Sequence, residues 1–148
     1  MNGLIRTVAA VSFLAAAPAA AQEVHECDFR ARADAIVEPW SLFSRTFANG
    51  AVRLALMDLV EPALGPLHIF VVSPPFDELG TRQCKIISVE GTFGFAGVLF
   101  EDMQASYDPA TGLTFIMDVQ VFDGFDARPR VLEFTLNQAT GEITTRLF

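Results

Sequence analysis

The chain has 148 residues, 51% of them apolar, and a formal net charge of −8 with a single lysine at position 85. Nucleic acid and anionic lipid both require a basic footprint, so the composition excludes binders of either. The length suits one domain with a real core.

The first segment reads as a cleaved secretory leader. Arg6 supplies a positive start, and Thr7 to Ala17 is apolar but shorter than the ~20 residues of a membrane-spanning helix. Pro18 breaks the run, and Ala19-Ala20-Ala21 offers the small residues a signal peptidase needs. Cleavage is expected between Ala21 and Gln22, leaving residues 22–148 as one domain, periplasmic or secreted, with no membrane span. Losing Arg6 shifts the net charge from −8 to −9. Lipidation is not expected, because Cys27 follows His25-Glu26 rather than a small residue at the cleavage point.

Cys27 and Cys84 are the only cysteines. An even count in an oxidising compartment reads as a disulfide, and the C-x-x-C spacing of a redox pair is absent. Between Cys27 and Trp40 the pattern is ambiguous: a short strand over Asp34–Val37, or a helical turn or two over Asp28–Ile36.

Beyond residue 40 the signals are those of strands and tight turns. Leu42–Ala48 and Val52–Asp58 flank Asn49-Gly50, a pair that tolerates positive φ at both centres of a hairpin turn. Leu67–Ser73 is a dense β-branched and aromatic run, apolar on both faces and so central rather than edge, ending at Pro74-Pro75. Gln83–Glu90 is a strand. Gly91–Gly97 marks a bend, a bulge or a close approach of another backbone. Val98–Tyr107 is expected to continue as strand, closed by the turn Asp108–Gly112.

Leu113–Phe122 alternates best: Leu113, Phe115, Met117, Val119 and Val121 face one side, Thr114, Asp118 and Gln120 the other. Phe125–Pro129 reads as a loop. Leu132, Phe134 and Leu136 point inward from the next strand, and Ile143 and Leu147 from the last. The sum is an all-β, single-domain antiparallel meander of about seven or eight strands, folded as a small sandwich or barrel.

Chemistry is thin. His25 and His68 have too few companions for a zinc site, since Cys27 and Cys84 are committed to each other. His25 as the third residue of a chain with a free amine would suit copper, but that requires cleavage after Gln22. No G-x-S-x-G elbow occurs, and Ser73, five residues from His68 on a strand, faces the opposite way. The carboxylates Asp77, Glu78, Glu101, Asp102, Asp118, Asp123 and Asp126 are scattered, as on solvated faces and loops. Asp123–Asp126 lacks the spacing of a calcium loop. No catalytic, metal or cofactor residue is assigned.

The unusual feature is 14 phenylalanines against one tyrosine and one tryptophan. Core packing is the first reading of this excess; the sharper one makes Phe93, Phe95, Phe100, Phe122 and Phe125 candidates for an apolar binding surface or cavity wall. The terminal Phe148 is preceded at alternate positions by Arg146, Thr144 and Glu142, so the last strand lacks the lipid-facing pattern of an outer-membrane barrel. The leading expectation is an exported, non-catalytic binding or accessory domain that presents a strand edge or apolar surface to a protein partner. A barrel carrying a small apolar ligand is the alternative, and a carboxylate-based hydrolase the third.

Overall fold

The computed structural model describes residues 22–148. The expected leader, residues 1–21, lies outside the described residues. Among the described residues the fold is all-β, with ten strands in two antiparallel sheets that do not close into a barrel. Sheet I runs β1-β5-β4-β3-β2, comprising Glu23–Glu26, Arg82–Ser88, Leu67–Phe76, Val52–Asp58 and Ser44–Phe47. Sheet II runs β10-β9-β8-β6, comprising Ile143–Leu147, Ala127–Leu136, Gly112–Phe122 and Gly97–Val98. β7 (Gln104–Asp108) pairs with β8 beside β6, the two taking successive stretches of one edge.

The dense run at Leu67 forms the middle strand of sheet I, and the alternation in β8 holds throughout. Phe115 and Phe134 are fully buried, with Met117 and Val119 nearly so. They meet Leu54, Ile69, Val71 and Ile87 from sheet I in one shared core. The Cys27–Cys84 disulfide is present, of the kind that persists in an oxidising compartment.

Several boundaries differ from expectation. Leu42–Phe43 is not strand: Trp40–Phe43 is a single helical turn, α1, and β2 begins at Ser44. Phe47 pairs with Val52, so the hairpin loop is residues 48–51, with Ala48, Asn49 and Gly50 all at positive φ. The loop is longer than the tightest turn, but the hairpin is the one that Asn-Gly announced. Val98–Tyr107 is interrupted at Phe100–Asp102 by a 3-10 turn that buries Phe100. β1 was not foreseen.

The prolines did not end strands. β4 continues through Pro74 and Pro75, where its pairing with β3 has already stopped and its register with β5 shifts. β9 includes Pro129. Val131 exchanges both backbone hydrogen bonds with Phe148, so Pro129, two residues earlier, turns its nitrogen to the same side, where β10 has run out. A proline costs no ladder bond where no partner strand exists.

The glycine-rich segment is a close approach of backbones. A Cβ on Gly94 would stand 2.2 Å from the Leu67 carbonyl oxygen. Phe95 and Leu67 exchange backbone hydrogen bonds there, tying the two sheets together. Gly112, at φ +107, likewise leaves no room beside the Leu136 carbonyl, 2.1 Å from where a Cβ would be.

Candidate functional site

The outer faces of the two sheets differ. Residues 27–40 cross sheet I as a strap. Its disulfide fixes one end, and Val37 donates its backbone N–H to Leu56 at 3.0 Å farther along. Beneath the strap lies a buried polar chain. Arg30, 2% exposed, donates Nη1 to Ser88 Oγ at 2.9 Å and to the Gly91 carbonyl at 2.7 Å. Asp28 accepts from the same guanidinium through both carboxylate oxygens. Ser88 Oγ lies 2.9 Å from His68 Nδ1.

The pairing with Arg30 holds the Asp28 carboxyl below its ordinary range. Burial first, and then the charge of Arg30, push the His68 imidazole down to about 4. His68 is therefore neutral, and its Nε2 has no partner among the described residues. A serine beside a histidine suggests a nucleophile with its base. Here both are completely buried and Ser88 is also held by a cation, so no substrate reaches the hydroxyl. The chain fastens the strap to the sheet. Ser73, on the inner face, donates to the Pro74 carbonyl and accepts from Gln83, apart from His68.

Two of the scattered carboxylates are spent on turns. Asp77 Oδ1 accepts the amides of Leu79 and Thr81. Asp123 Oδ1 accepts those of Phe125 and Asp126, while its Oδ2 takes Arg128 Nε at 2.8 Å. These bonds, with Arg128 foremost, hold the Asp123 carboxyl well below the usual range. Among the described residues no three histidine, cysteine, aspartate or glutamate side chains come together as a metal site.

The five candidate phenylalanines are dispersed. Phe95 and Phe100 are core side chains and present no surface. Phe93 is half-buried beside Gly65. Phe122 ends β8, half-buried, and Phe125 stands at the tip of the β8–β9 turn, 90% exposed. A core phenylalanine and a surface one carry the same sequence signature, and tertiary placement alone separates them.

Sheet II has an open outer face: Ile116, Asp118 and Gln120 of β8 are all exposed. Cross-strand register sorts this face into rows. Thr114 pairs with Thr135, their hydroxyls 2.8 Å apart, and Glu133 faces Arg146, so that half is polar apart from Ile116. The next rows are Asp118 with Val131 and Gln120 with Pro129, flanked by Phe148 on one side and by Leu99 and Gly97 on the other. Leu99 and Phe148 stand 55% and 63% exposed.

The result is an open groove of about 770 Å³, lined by Leu99, Pro129, Val131 and Phe148 and reaching Leu67 and the core residue Val119. Asp118 and Arg130 give it one charge of each sign, and neither makes an ion pair among the described residues. Of these residues only Val131 was legible beforehand as an outward apolar side chain, from the inward Leu132, Phe134 and Leu136. The others come together through register. Comparison with protein-family models, curated proteins and solved structures returned no match.

Proposed function

We propose that this chain is an exported, non-catalytic binding domain whose groove on the outer face of sheet II receives apolar side chains of a protein partner. The carrying observation is an apolar groove that no described residue covers, on a domain whose opposite face is partly strapped over. Large exposed apolar groups in one place cost solubility and mark interaction sites. An open groove suits side chains presented by a second protein, because its mouth lets a chain enter and leave laterally. Asp118 and Arg130, unpaired among the described residues, and Gln120 offer orienting contacts beside the apolar Leu99, Val131 and Phe148. The reading of a barrel carrying a ligand loses its basis: the sheets stay open and the space between them is filled with Phe95, Phe100, Phe115 and Phe134.

The test is a photo-cross-linking residue placed at position 99 in the cell that makes the protein. One discrete protein adduct is expected, lost when Val131→Asp is added. The same residue at position 76, exposed but outside the groove, should give none. No adduct at 99, or equal adducts at both positions, overturns the reading.

A further inference from the structure

The outer face of sheet I has a smaller depression beside the strap, distinct from the sheet II groove, with a volume of about 360 Å³. Its origin is local. In the row Ser44–Ala55–Phe70, Ala55 is the small member, 1% exposed, so the sheet is low between its taller neighbours. Phe70 and Ile36 wall this hollow from the sheet and the strap, and Trp40 of α1 walls it from the helical turn. Trp40 is half exposed and is the only tryptophan of the chain.

At the rim stands Arg53, exposed, on the same strand and face as Ala55. Its Nη1 donates to Ser44 Oγ at 2.9 Å, which steadies the guanidinium over the cup. It makes no ion pair among the described residues, in a chain whose net charge is −8. The hydroxyls of Ser41 and Ser44 line the same rim.

We propose that this cup binds a small amphipathic carboxylate, a planar anion joined to a short apolar body. The apolar body rests on Ala55 between Trp40 and Phe70, leaving water as their exposed faces do now only in part. The carboxylate meets the remaining donors of Arg53, whose planar fork matches two carboxylate oxygens, with a serine hydroxyl beside it. Charge selects the ligand: an acidic chain repels anions generally, so a bound anion requires this one uncommitted cation at the cup.

Because Trp40 is the sole tryptophan, intrinsic fluorescence reads the cup directly. The probes are phenylacetate and hexanoate, which distinguish an aryl from an alkyl body, with phenylacetamide and acetate as the uncharged and bodiless controls. A saturable change is expected with one or both carboxylate probes at millimolar concentration. Phenylacetamide and acetate should bind at least about tenfold more weakly. Arg53→Gln, a surface change that leaves the fold intact by thermal melting, should weaken binding about tenfold or more, and Arg45→Gln should not. Trp40→Phe removes the reporter but keeps an aromatic wall, so ligand-observed NMR should still detect binding. No saturable response to either carboxylate, an equal response to phenylacetamide, or undiminished binding by Arg53→Gln overturns the proposal.

Discussion

Phe115 is one of the side chains through which the two sheets hold each other. It is fully buried on β8, with its ring centroid 4.9 Å from that of Phe134 on β9, nearly stacked at 29°. It is also 4.9 Å from Phe47 of sheet I, edge to face at 72°. Truncating a buried phenylalanine to alanine forfeits its transfer energy and leaves a cavity, together about 3–5 kcal/mol. Each aromatic pair adds about 0.5–1.5 kcal/mol. Phe115→Ala loses two such pairs and Phe134→Ala one, so Phe115→Ala should be the more destabilising by about 0.5–1.5 kcal/mol. On the opposite face, Thr114→Ala and Thr135→Ala lose one hydroxyl contact in a half-buried row, about 0.2–1 kcal/mol each. Urea melts fitted with a common slope measure all four variants, and the double phenylalanine mutant isolates the stacking contribution as a coupling energy. Equal losses on the two faces would refute the assignment of inside and outside, since a one-residue slip exchanges them. A cost near 1 kcal/mol for Phe115→Ala would mean that the space between the sheets is a lumen rather than a packed core.

The disulfide joins residues 57 apart, so opening it should cost about 4 kcal/mol in the chain-entropy account. The native protein should take up no alkylating reagent until reduced, and reduction should lower the urea midpoint; uptake of two equivalents without reductant would contradict the bridge. His68 is held down to about 4 in the fold, below its ordinary 6.5. Between those values the unfolded chain binds the proton and the folded one does not, so stability is full above pH 6.5 and falls as pH drops toward 4, by about 3 kcal/mol. His68→Asn, which keeps a polar group near Ser88, should remove this loss, and a variant whose stability falls as steeply as the parent's would show that other groups carry it.

The all-β class, the disulfide, the central position of β4 and the inward faces of β8 and β9 were all legible in the residues. Each depends on properties local to the chain: period-two alternation, β-branched density, an even cysteine count, Asn-Gly at a hairpin. The proline boundaries were misread because a proline's cost depends on whether a neighbouring strand needs its N–H. That is a fact about sheet order, not about Pro129 or Pro74. The role of the phenylalanines was illegible for a similar reason. Phe95 is anchored by the backbone approach at Gly94, and Phe125 is carried outward on a turn built by Asp123, while hydrophobicity is identical in both. Arg30, Ser88 and His68 are far apart along the chain, and only the fold of the strap over sheet I brings a buried cation to a serine. The groove is the clearest case. Leu99, Asp118, Val131 and Phe148 come from four separate segments, and strand register alone sets them side by side on a face that no other described segment covers.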